Sequence, residues 1–206
     1  MAIKPILFNT EMARAILEGR KSCTRRIVKP QQLIGMLPDK CKNGVPEKFL
    51  KEKRLMFKPY CDMTDIELIN TAYKAPYQPG DTLYVRETWK KALNGYYYYE
   101  AWQRNDIADV TKWKSPVCMP KEAARIWLKV KNVRVERLQE ITMNGIRSEG
   151  LSSMAVHAGD MEIALKEWEL LWNSTINKSD LDRYGWDASP WVWVIEFERC
   201  EKPEGV

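Results

Sequence analysis

Hydrophobic and polar positions along the chain fall into short blocks of clear periodicity. "KPILF" reads as a first strand. After Asn9 and Thr10, the apolar residues Met12, Ile16 and Leu17 recur at helical spacing up to Gly19. This predicts a helix capped by Asn9 or Thr10 and stopped by Gly19. "SCTRRIV" then alternates as an extended strand, so Lys21 and Thr24 fall at a helix-to-strand junction. Pro79-Gly80-Asp81 predicts a turn, followed by a strand with Leu83 and Val85 on one face. The longest strand signal is "RIWLKVKNVRVERL", where Ile126, Leu128 and Val130 alternate and Val133 and Val135 continue in the opposite phase. Such a slip near Asn132 predicts a bulge or bend. "ITMNGIRSEG" predicts a short helix capped by Thr142 and stopped near Gly150. "DMEIALKEWELLW" predicts an amphipathic helix with Met161, Leu165, Trp168 and Trp172 on one face. "PWVWVIEFERC" closes the pattern as a strand.

Two segments break this order. Residues 29–79 are punctuated by Pro30, Pro38, Pro46, Pro59, Pro76 and Pro79, and residues 90–120 hold the Tyr96–Tyr99 run. Both read as insertions. Strands and helices do not alternate as a parallel α/β sheet would require. The pattern predicts an α+β fold, a small mixed β-barrel with flanking helices, in one domain over 1–206.

Composition narrows the chemistry. His157 is the only histidine, which argues against Ser-His-Asp and Cys-His catalysis and against multi-histidine metal sites. The cysteines number five, with no C-x-x-C pair, so neither a disulfide framework nor a structural zinc site is expected. No metal and no cofactor is called for. There is no signal-peptide pattern and no apolar run of membrane-spanning length, so a cytoplasmic protein with no membrane partner is expected. The net charge of +5 is compatible with a polyanionic partner or with a solvated basic surface. Nine Trp and nine Tyr serve a core first and base stacking second. Trp191 and Trp193 read as core, as do two of Tyr96–Tyr99.

The motif Gly19, Lys21, Thr24, Arg26 resembles the G-x-K-x-x-E-x-R signature of the ASCH family, with Thr24 in place of the acid. "PGDTLYVRETW" and "WVWVIEFE" resemble that family's later strands. Over nearly the full length the chain looks like phage or prophage ASCH-domain proteins often labelled morphogenetic, which carry T-R-R and P-G-D-x-L-x-V-R-E-T-W strings. At its core it is similar to bacterial N4-acetylcytidine amidohydrolases, whose K-x-x-T-x-R string supplies catalytic Lys and Thr and which add a glutamate after the long strand. The resemblance implies a PUA-like barrel. It also implies a nucleobase- or RNA-directed function, with Lys21, Thr24 and Glu149 as catalytic residues acting on N4-acylated cytidine.

The residues themselves leave this open. A threonine hydroxyl needs a base, and a neutral lysine can act as one if burial and nearby cations depress its pKa. On one strand, however, Lys21 and Thr24 would point to opposite faces, so the junction must bend for them to meet. The bland alternative makes them ordinary rim residues. A non-catalytic RNA-binding module, or a ribonuclease, of phage or prophage origin is the competing function. There Arg20, Arg25, Arg26, Arg86 and Arg125 would contact phosphates, and Tyr96–Tyr99, Trp102 and Trp113 would stack unpaired bases. The partner is accordingly a modified nucleoside or single-stranded RNA. Arg86 and Glu87 would otherwise pair with each other, and Cys23 is as readily a small buried residue as a nucleophile.

Overall fold

A computed structural model describes residues 1–29, 67, 70, 73–101 and 112–205. Most of the 29–79 insertion and Trp102 lie outside them. The described chain runs β1 (Ile3–Leu7), α1 (Thr10–Leu17), β2 (Cys23–Ile27), β3 (Thr82–Arg86), β4 (Trp89–Ala92), β5 (Gly95–Tyr98) and β6 (Trp127–Arg137). It continues through α2 (Met143–Ser148), α3 (Met154–Ala158), α4 (Met161–Ser174), α5 (Leu181–Tyr184) and β7 (Trp191–Cys200). Five strands form one mixed sheet in the order β1-β3-β6-β7-β2. The β1–β3 pair is parallel and the other pairs are antiparallel.

Strand alternation places the cores. Along β7, Trp191, Trp193, Ile195 and Phe197 face one cluster with Ile6, Leu83, Val85 and Leu128, into which α1 inserts Ala13 and Ile16. Val192 and Val194 face the opposite cluster, where α2, α3 and α4 bury Ile146, Val156, Ala164, Trp168 and Trp172. A strand covered on both faces by apolar residues is a central strand, and β7 lies between β6 and β2. The predicted slip in β6 is a register shift against β7 between Val130 and Asn132. It lets Val130 and Val135 reach the same core despite their odd separation.

The described part of the second insertion is the β4–β5 hairpin and the turns after it. Tyr96 and Tyr98 pack on Tyr84, Trp89, Met119 and Trp127, while Tyr97 and Tyr99 are exposed. The run therefore alternates in and out as expected.

The fold is α+β, but the expected closed barrel is not formed among the described strands. The edges β1 and β2 do not pair with each other. They are joined instead by α1 and by the Arg26 side chain, whose Nη2 donates to the Leu7 carbonyl at 3.0 Å. A side-chain hydrogen bond links the edges without forming a main-chain ladder. Among the described residues, no helix is long and apolar enough to cross a membrane.

Candidate functional site

The signature stretch takes its shape from the end of α1. Gly19 adopts φ +76°, and the main-chain N–H groups of Arg20 and Lys21 both donate to the Ala15 carbonyl, at 2.8 and 3.0 Å. This turn holds Lys21 ahead of β2, where it forms an isolated bridge with Glu149. The N–H of Ser22 donates to the Ser148 carbonyl at 2.9 Å. Lys21 is thus outside the strand, and strand alternation does not constrain its direction relative to Thr24.

Glu149 ends α2, whose start is capped by the Thr142 hydroxyl accepting from the Gly145 N–H. Gly150 follows with φ +96°. A Cβ at position 150 would lie 2.9 Å from the Ala15 Cβ and 3.1 Å from the Lys21 Cβ. Only glycine satisfies both the backbone and this close approach of two chain segments.

Lys21, Thr24 and Glu149 line one cavity of about 90 Å³, together with Arg25 and Arg26. Its other lining residues include Phe8, ahead of α1, Met12 of α1, and Trp168, Leu171 and Trp172 of α4. Lys21 Nζ donates to Glu149 Oε2 at 2.6 Å and to the Glu149 carbonyl at 2.9 Å. Arg25 Nη1 donates to the other carboxylate oxygen of Glu149 at 3.1 Å. Arg25 is gripped from β6 as well, donating through Nε and Nη2 to Glu136 Oε1 at 2.8 and 2.6 Å. Lys21, Thr24, Arg25 and Glu149 are all buried. The hydroxyl of Thr24 has no hydrogen bond among those formed by the described side chains.

Burial pushes the Lys21 ammonium below the ordinary lysine value, although Glu149 opposes this and Arg26 adds to it. Burial likewise lowers Arg26. Burial works against Arg25 too, but the carboxylates of Glu149 and Glu136 outweigh it and hold the guanidinium above its usual range. Because Glu149 is shared with Arg25, its charge is divided between two cations.

The other cations singled out in the sequence do not enter this cavity. Arg20 pairs with Glu18 and with the Gly150 carbonyl. Arg125 makes a two-pronged pair with Glu87, at 2.9 and 2.8 Å, and reaches Glu100 at 2.9 Å. Glu87 therefore pairs with Arg125 and not with Arg86. Arg86 donates to the Val117 carbonyl and the Tyr84 hydroxyl. Cys23 is buried among apolar residues, and burial, then the Glu149 carboxylate, push its thiol up to about 12. It is not a nucleophile at neutral pH. His157 is on exposed α3 and contacts its own helix at the Ser153 carbonyl.

Sequence reasoning missed Glu136 and the cavity wall. Glu136 follows the β6 bulge, and the register after it sets Glu136 level with Ile27 across β7, a diagonal step from Arg25 that the long guanidinium side chain spans. Trp168 and Trp172 were legible as apolar helix positions, and they are buried. That the same residues would face Lys21 and Thr24 depends on how α4 docks. The Trp168 indole N–H is buried without a hydrogen-bond partner among the described residues. No cluster of three or more His, Cys, Asp or Glu side chains suited to a metal ion occurs among the described residues.

No family model matches the chain, and no curated protein matches it. Among solved structures, an ASCH domain from Lactobacillus crispatus aligns over 96% of this chain and 79% of its own, at 9% identity and a TM-score of 0.38. A protein from Enterococcus faecalis V583 aligns over 97% and 76%, at 8% identity and a TM-score of 0.40. A third structure, of a hypothetical protein, aligns over 97% of this chain and 100% of its own, at 14% identity and a TM-score of 0.36. With identities and scores this low, the chemistry of the site rests on its own residues.

Proposed function

We propose that the Lys21–Thr24–Glu149 cavity is the centre of an ASCH-type amidohydrolase that removes an acyl group from the exocyclic amine of a nucleobase, in its most concrete form N4-acylated cytidine. One observation carries this reading. Lys21 and Glu149, 128 residues apart, meet in the same small cavity as Thr24, while His157 is exposed and not among the residues that line it.

The chemistry follows from the geometry. A proton passing from Lys21 to Glu149 along their 2.6 Å hydrogen bond leaves a neutral amine and a carboxylic acid. The amine takes the Thr24 proton as the hydroxyl oxygen bonds to the acyl carbon. Glu149 then protonates the departing exocyclic nitrogen as the C–N bond breaks, giving cytidine and an acyl-threonine. Lys21, now the ammonium, returns its proton to Glu149. Water attacks the ester and gives a proton to Lys21, Glu149 protonates the departing Thr24 oxygen, and the carboxylic acid and free Thr24 are released. Arg26, which lines the cavity, carries a guanidinium suited to the developing oxyanion.

The size of the site supports the same reading. A cavity of about 90 Å³ is smaller than the roughly 150 Å³ void that holds a benzene ring. It admits an acetyl group and keeps the base outside. Of the cations that the sequence offers for a binding module, Arg20, Arg25 and Arg125 are each committed to carboxylates.

Incubation with N4-acetylcytidine, followed by chromatography of the cytidine released, tests the proposal. The wild type should turn it over, and Lys21→Ala and Thr24→Ala should each reduce the rate by about 100-fold or more. A folded wild type that leaves the nucleoside intact overturns the reading.

A further inference from the structure

Beside the acyl cavity lies a second groove of about 420 Å³, and Arg26 belongs to the walls of both. The groove is walled by Lys29, Tyr73, Lys74, Tyr77 and Trp193 with Arg26. Lys29 and Lys74 are exposed, Tyr73 and Tyr77 are half-buried, and Trp193 forms the floor. No acidic residue lines the groove among the described residues.

Its parts are held in place. Tyr77 donates its hydroxyl to the Pro5 carbonyl at 2.9 Å, and Lys4 Nζ lies 5.9 Å from its ring centre. Lys29 Nζ lies 5.2 Å from the ring centre of Tyr184. Arg26 is fixed by donation to the Arg25 and Leu7 carbonyls and stands over Phe8. A cavity of similar volume near α2 differs in charge, since Glu196 and Glu198 offset its Lys131 and Arg134.

We infer that this groove holds the phosphate-bearing part of the substrate, a nucleotide whose base lies across Arg26 with its acyl group in the small cavity. The inference deepens the amidohydrolase reading and rests on it for the identity of the base. Three observations combine. The acyl cavity is too small for the base, the adjoining volume suits a nucleotide, and its walls offer cations, with no acidic residue beside them among the described residues, next to flat aromatic rings. A phosphate on Lys29 and Lys74 would favour a nucleotide or a single strand over a free nucleoside.

Fluorescence anisotropy with 5′-fluorescein-labelled pentacytidine RNA tests this without relying on turnover. The wild type should bind at about 50 mM salt and weaken as salt rises. The double variant K29Q/K74Q should bind at least about tenfold more weakly, and its slope of log Kd against log salt should fall by about 1.4, for two lost phosphate contacts on a single strand. A double variant of equal charge change elsewhere, K166Q/K202Q, should match the wild type. Wild-type-like affinity or salt slope in K29Q/K74Q, or no saturable binding by the wild type, overturns the inference. Unlabelled cytidine monophosphate separates the two phosphate sources: displacement identifies a free nucleotide as sufficient, and its failure identifies a strand. Turnover of N4-acetylcytidine by the wild type with a negative groove result removes the groove alone. Groove-dependent binding without turnover removes the amidohydrolase reading alone.

Discussion

Burial decides what each polar residue of the signature can do. Lys21 and Cys23 are two positions apart, and both lose the stabilisation that water gives to charge. For the lysine this favours the neutral base, and for the cysteine the inert thiol. The thiol can be checked directly. Iodoacetamide at about pH 8, where an ordinary cysteine reacts readily, should modify the exposed Cys118 and leave Cys23 unlabelled in the native protein. Peptide mass mapping reads both sites. Equal labelling of Cys23 would contradict its burial and return it to the list of possible nucleophiles.

Between elements, Asp81 shows how a predicted turn becomes an anchor. Its carboxylate accepts from the Lys4 ammonium at 2.6 Å and from the N–H groups of Ala2 and Gln78, each at 3.0 Å. It thereby ties the parallel strands β1 and β3 together at their start. Burial raises its pKa, but these hydrogen bonds outweigh burial and hold it down at about 2, against an ordinary 3.8. A depressed carboxylate stabilises the fold fully above its unfolded value and loses that contribution as pH falls through its folded value. Asp81→Asn should therefore lower Tm at neutral pH, and the gap to the wild type should narrow between about pH 4 and pH 2. Thermal melts by circular dichroism across that range measure it. A gap that stays constant would place the anchoring elsewhere.

At the scale of the whole molecule, Arg25 connects three elements: β2 by sequence, β6 through Glu136 and the end of α2 through Glu149. A buried pair need not stabilise relative to an apolar replacement of the entire pair, but removal of one member strands the others. Arg25→Met leaves Glu136 without its guanidinium and Glu149 with Lys21 alone. The expected cost is about 3–5 kcal/mol in urea unfolding. A loss below about 1 kcal/mol would mean that water or neighbouring groups compensate the carboxylates in the folded state.

The sequence by itself determined what depends on neighbours in the chain. The alternation of β7, the phase slip in β6, the Asn9 and Thr142 caps and the apolar stripe of α4 are local patterns, and each appears where periodicity and cap chemistry put it. The Lys21–Thr24–Arg26 string was equally visible as a string. Tertiary structure decided what those residues mean. Strand parity alone separates Lys21 from Thr24, and only the Gly19 turn and the close approach at Gly150 free Lys21 to share a cavity with it. The partners of Arg25, and the pairing of Arg125 with Glu87 instead of an open phosphate contact, depend on register across the sheet. The sheet stayed open for the same reason. Ladder closure needs two edge backbones side by side, and here β1 and β2 do not pair; the Arg26 side chain reaches from one to the Leu7 carbonyl of the other. Local propensity is a property of a few adjacent residues, whereas burial, ion pairing and the shape of a cavity belong to segments that meet only after folding.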